Sequence, residues 1–82
     1  MPVKTLTAAQ CKAARGLVDM SQKTLAERAE VAEKTIVDFE KKARSPRSAT
    51  LQALRFALES AGVEFIDENG GGPGVRLGKP DS

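Results

Sequence analysis

The chain has no histidine, tryptophan or tyrosine, only three phenylalanines and one cysteine, Cys11. Each shortage excludes something. One thiol without a histidine rules out a disulfide framework and any His/Cys metal cluster. A lone cysteine fits a reducing compartment. Without histidine, no Ser/His/Asp or Cys/His constellation can be assembled, and no paired-carboxylate pattern stands in for one. The chain therefore reads as a non-enzyme with no metal and no cofactor. No apolar run approaches membrane length, and "MPVKTLTAAQ" lacks the apolar stretch of a leader peptide. We expect a soluble cytoplasmic protein that does not enter membranes.

What is present is short and unevenly charged. Eighty-two residues make one domain with one small core. Residues 1–47 hold ten Lys/Arg against six Asp/Glu, a balance of +4. Residues 48–82 hold three against five, a balance of −2. The first half is the polyanion-facing half, although +4 is mild.

Helix starts are legible from local chemistry. In "LTAAQC", Thr7 can cap a helix while Gln10, three residues on, reaches back to it. Leu6 and Cys11 then form a hydrophobic staple, giving a first helix over about Ala8–Val18. Cys11 lies with Ala14 and Leu17 on its inner face, as a buried small hydrophobe. "MSQKTL" repeats the device, with Ser21 as cap and Met20 and Leu25 as staple. Val31 and Ile36 keep the same spacing, but Ala32 between them has no oxygen to cap with. Pro46 marks a break and Ser48 a new cap. Leu51, Leu54, Ala57 and Leu58 then give a helix one apolar face, ending before Gly62. "VEFI" and "VRL" read as strands around the turn cluster "DENGGGPG", a hairpin of Val63–Ile66 with Val75–Leu77. A lone hairpin is marginal, so it must pack on the helices or on a second subunit. "GGGPG" lacks the Lys-Ser/Thr and the helix of a phosphate loop.

The segment "LAERAEVAEKTIVDFE" admits two readings. Leu25, Ala29, Ala32, Ile36, Phe39 and Ala43 form a heptad seam, as in one long helix of a bundle or scaffold. Half of that seam is alanine, a thin driving force beside the ~1.5–3 kcal/mol of a buried Leu or Ile. A helix from Ser21 to Arg44 is about 36 Å long, against a domain about 30 Å across, and it turns Val31 away from the seam. Two helices with a turn near Glu30 bring Val31 and Ile36 to the core. That turn puts Glu30 in a left-handed conformation, at roughly 1–2 kcal/mol, and uses an Ala cap, at roughly 1 kcal/mol against Ser.

"SQKTLAERAEVAEKTIVDFE" resembles the helix-turn-helix of the phage-repressor-like family (Cro/repressor type, XRE). Gln22, Ala26, Val31, Ile36 and the Phe39-Glu40 pair carry the resemblance, and "TLQALRFALESAGVEFIDENGGGPGVRL" is similar to the C-terminal part of a bacterial subgroup. Glu30 stands where the family usually has Gly, and Ala32 where it usually has Ser. The resemblance implies a mostly α fold: a four-helix, or four- to five-helix, repressor-like helix-turn-helix domain over residues 1–62. A short C-terminal β-hairpin over 63–78 is expected to serve dimerisation, and 79–82 are expected to form a disordered end.

It further implies a sequence-specific DNA-binding regulator, a repressor, that reads the major groove of double-stranded DNA as a homodimer. The reading helix covers about residues 33–41. Glu33, Lys34, Thr35, Val37 and Asp38 point outward to base edges: Lys34 suits guanine, Glu33 or Asp38 cytosine, Val37 a thymine methyl. Gln22, Lys41, Lys42, Arg44 and Arg47 are expected at phosphates. Arg15 and Glu40 form a structural pair. Val63, Phe65, Val75 and Leu77 offer an apolar strand surface for the dimer. The competing function is a protein-binding module on the same fold, an antitoxin or anti-activator, which the acidic second half would suit.

Overall fold

The computed structural model describes residues 6–68 and 70–78. The predicted end at 79–82 lies outside the described residues. The order is α1 (Ala8–Val18), α2 (Gln22–Ala29), α3 (Glu33–Glu40), α4 (Ser48–Ser60), β1 (Val63–Ile66) and β2 (Gly74–Leu77).

The starts of α1 and α2 follow from side-chain caps. The Gln10 amide donates to Thr7 Oγ1 and the Thr7 amide to Gln10 Oε1, both at 3.0 Å. The Thr24 amide donates to Ser21 Oγ at 3.0 Å. The staple residues Leu6, Cys11, Met20 and Leu25 are all buried. The helix ends are less ordinary. α1, α2 and α3 are each followed by a non-glycine residue in the left-handed region: Asp19 at φ 58°, Glu30 at φ 59° and Lys42 at φ 62°. Each lets the next amide reach five residues back: Met20 to the Arg15 carbonyl, Val31 to Ala26, Ala43 to Asp38, at 2.9–3.0 Å. That bond satisfies a carbonyl the helix end leaves open. The break at Glu30 makes "LAERAEVAEKTIVDFE" two helices, and the long helix does not form. Ala32 starts α3 with no side-chain cap.

The predicted cap of α4 is corrected. Ser48 is the first helical residue and Arg47 holds the cap position, with no side-chain hydrogen bond. Pro46 forbids helix at the residue before itself, not at the residue after, so the helix can begin one position earlier than a Ser48 cap allows.

The core gathers Cys11, Ala14, Leu25, Ala26, Ile36, Phe39, Leu54, Ala57, Leu58, Val63 and Phe65. Val31 packs at its edge. Leu17 does not join it: it is 39% exposed. At 100° per residue, Leu17 stands well off the Cys11–Ala14 face. Val18, seven residues after Cys11, shares that face and is half-buried.

The hairpin pairs Val63 with Leu77, Glu64 with Arg76, Phe65 with Val75 and Ile66 with Gly74. The observed second strand is one residue longer than the predicted one. It packs on the helices, β1 against α4 and both strands against α1. Buried Gln10 ties it down: its Nε2 donates to the Gly74 carbonyl at 3.1 Å and the Ile66 carbonyl at 3.5 Å. One side chain thus caps α1 and closes the hairpin's far end. Gly78 closes the near end, its amide donating to the Gly62 carbonyl at 2.6 Å. A Cβ on Gly78 would lie 3.1 Å from that carbonyl oxygen, so a larger residue is crowded there.

Candidate nucleic-acid interface

The site is built on one carboxylate. Glu40 ends α3, and its side chain is 5% exposed. Arg15 of α1 grips it with two parallel bonds, Nη2 to Oε1 at 2.6 Å and Nε to Oε2 at 2.8 Å. Gln22 Nε2, at the start of α2, donates to Oε1 at 3.1 Å. The Cys11 thiol donates to Oε2 at 3.1 Å. Arg15 Nη1 also donates to the Met20 carbonyl at 3.0 Å, joining the loop between α1 and α2. Three helices therefore meet at one ion, and a bidentate arginine fixes direction as well as distance.

The protonation states follow from this geometry. Burial pushes the Glu40 carboxyl up, but the hydrogen bonds from Arg15, Cys11 and Gln22, with the Arg15 charge, outweigh it. The net result holds Glu40 below the usual carboxylate range. Burial, then the Glu40 acceptor, pushes the Cys11 thiol far up, so it stays a neutral donor. The Glu40 hydrogen bond keeps Arg15 charged.

Ile36 and Phe39 anchor α3 in the core. The residues expected at base edges lie around the rest of its circumference. Glu33 and Lys34 are exposed, while Thr35, Val37 and Asp38 are half-buried. Lys34 Nζ stands 3.4 Å from Asp38 Oδ2, one turn on. A groove of about 220 Å³ runs beside them, lined by Ala32, Lys34, Thr35, Asp38, Arg44 and Pro46. Arg44 thus stands next to the outward residues of α3. Lys41, Lys42, Arg44 and Arg47 are all exposed. Lys42 occupies the left-handed turn, and with Arg44 it lines a second cavity of about 360 Å³ against Ala8, Phe39 and Ala43. Gln22, expected at a phosphate, has its amide on Glu40 in this structure.

The helix-turn-helix family model HTH_3 matches residues 12–58, the span from α1 to near the end of α4. The chain belongs to the XRE-type helix-turn-helix family. It is accordingly a DNA-binding transcription regulator of the XRE type, a regulatory family that is generally non-enzymatic. No curated protein matches the chain. Among the described residues no helix is long and apolar enough to cross a membrane.

The strand surface expected to serve a dimer is largely turned inward. Val63 and Phe65 are 4% and 8% exposed, because they face the chain's own helices. Val75 is half-buried against the same core, and only Leu77 is open, at 56%. Phe65 is also covered by Arg55, whose guanidinium lies 4.7 Å from the ring centre.

Several features of the helix-turn-helix domain are not legible in the sequence. The left-handed stops at Asp19 and Lys42 carry no glycine to announce them. The Cys11 thiol's bond to Glu40 and the Gln10 bonds to the hairpin join residues 29 and 64 positions apart, which no local pattern reveals.

Proposed function

We propose that this XRE-type regulator reads the major groove with α3, as a dimer, and represses transcription. The observation that carries the reading is the Glu40 hub. It ties α3 to α1 and α2 through Glu40, which supports a fixed presentation of Glu33, Lys34, Thr35, Val37 and Asp38 to base edges. A rigid reading helix loses little freedom on binding, and base contacts then discriminate by about 1–3 kcal/mol each. Lys41, Arg44 and Arg47 flank that face and suit backbone phosphates. The Lys34–Asp38 pair keeps the reading face near neutral, so non-specific attraction is weak and two half-sites together supply the affinity.

The test is binding to the DNA upstream of its own gene as salt rises, compared with scrambled DNA. The reading requires a sequence-dependent complex at low salt that weakens as salt increases. Equal weak binding to both DNAs contradicts it and returns the acidic second half to the role of a protein-binding surface.

A further inference from the structure

Three cavities are lined by cations. Two of them also hold a carboxylate. Beside α3, Lys34 faces Asp38. At the turn between α1 and α2, Asp19 stands in the wall and Arg15 is already taken by Glu40. The cavity of about 360 Å³ has no carboxylate among the described residues that line it. Its cations are Lys42 and Arg44, and neither has an ion-pair partner among the described residues.

The backbone builds this cavity. Left-handed Lys42 turns the chain back after α3, its amide donating to the Phe39 carbonyl and the Ala43 amide to the Asp38 carbonyl, both at 2.9 Å. The turn brings residues 42–45 beside Phe39 and Ala8, the first helical residue of α1. Ala8, Phe39 and Ala43 supply an apolar lining, and Lys42, Arg44 and Ser45 supply charge and a hydroxyl.

We propose that this cavity binds a small organic anion, a carboxylate or phosphate head on a compact apolar body. Charge complementarity selects the head: two unpaired cations and a hydroxyl donor, with no carboxylate to repel it. The apolar lining selects the body, and the volume lies in the range of small-molecule sites. A DNA phosphate brings no such body, and none of Glu33, Lys34, Thr35, Val37 and Asp38 lines the cavity. Arg44 lines both this cavity and the groove beside α3. An anion that engages its guanidinium in the cavity withdraws it from the DNA backbone, so the ligand lowers DNA affinity. That consequence rests on the major-groove reading above; the site itself does not.

The test is an NMR titration of the full chain's amide signals with benzoate and with phenyl phosphate, at fixed ionic strength and without DNA. Saturable shifts should gather at Ala8, Phe39 and residues 42–45, with dissociation constants on the order of millimolar, as suits ligands of about ten heavy atoms. The tighter probe identifies the head group. Benzyl alcohol lacks the charge and inorganic phosphate lacks the body, and each should bind roughly fivefold more weakly. Lys42→Asn removes one cation, and asparagine tolerates the left-handed turn. It should weaken the tighter probe roughly fivefold with an unchanged circular dichroism spectrum. Lys23→Ala, at an exposed cation on α2, should bind the probe as wild type does. Saturating probe should weaken the wild-type complex with upstream DNA about threefold at the same ionic strength. Absence of saturable shifts with both probes overturns the assignment, as do shifts that gather elsewhere. So does inorganic phosphate binding as tightly as the organic anions, or a Lys42→Asn chain that keeps wild-type affinity. Probe binding that leaves DNA affinity unchanged overturns the role given to Arg44. A chain that binds the probe but no DNA contradicts the major-groove reading and supports the site.

Discussion

At the residue scale, three side chains hold backbone conformations that their type disfavours. Glu30 sits at φ 59°, ψ 45° with a Cβ that the left-handed region penalises. Glu30→Gly should raise the unfolding free energy by about 1 kcal/mol, less the extra freedom glycine has in the unfolded chain. Ala32→Ser supplies the cap α3 lacks and should add about 1 kcal/mol more. Urea unfolding checks both, and a loss of stability in each would contradict the position of the turn.

Glu40 and Cys11 give stability opposite pH limbs. The folded-state value of Glu40 is depressed, so its contribution is present above the usual carboxylate range and is lost as pH falls through the lower folded value. The folded-state value of Cys11 is raised. The unfolded thiol ionises near pH 8.5 while the folded one stays neutral, so stability declines as pH climbs above that value. Unfolding free energy measured across pH should therefore fall on both sides. Glu40→Gln should flatten the acid limb and Cys11→Ala the alkaline one.

At the element scale, the Glu40 hub makes α3 depend on α1. Arg15→Ala leaves a nearly buried carboxylate without its cation and should cost about 3 kcal/mol, read by thermal or urea unfolding. It should also lower affinity for DNA through loss of α3 placement. Lys34→Ala and Arg44→Ala should separate the two kinds of contact proposed for α3 and its flank. Lys34→Ala should relax preference at one base pair by about 1–3 kcal/mol. Arg44→Ala should weaken binding to all sequences alike and reduce the salt slope by about 1 per lost contact. A salt slope untouched by Arg44→Ala would remove that residue from the phosphates.

Legibility in the sequence divided along the same line. Helix starts could be read because Thr7, Gln10 and Ser21 act on amides three residues away. Helix ends at Asp19 and Lys42 could not, because the left-handed residue was not glycine and the stabilising bond runs through the backbone. Ser48 looked like a cap by type, yet the chain capped one residue earlier. The Arg15–Glu40 pairing came from the family pattern, and nothing nearby in the sequence pointed to its Cys11 and Gln22 partners. The apolar residues of "VEFI" were legible as a strand. Where Val63 and Phe65 point was not, because that depends on a helix packing beneath them.

At the scale of the whole molecule, the parts divide by surface. α3 packs on α1 and α2 with exposed Lys41, Arg44 and Arg47 following it, and the hairpin closes over α1 and α4 with Gln10 and Arg55 as its ties. α4 leaves Phe56 exposed, beside the Arg55–Glu59 pair. The proposed reading sets DNA against the α3 surface. The most direct measurement of the central claim is selection of binding sites from random double-stranded DNA by the purified chain. The account predicts an enriched two-fold motif whose half-sites lie about one helical turn, ~10 base pairs, apart, and a changed base preference when Lys34 or Thr35 is replaced. Enrichment of no motif, or a motif indifferent to replacing Glu33, Lys34, Thr35, Val37 and Asp38, would contradict it.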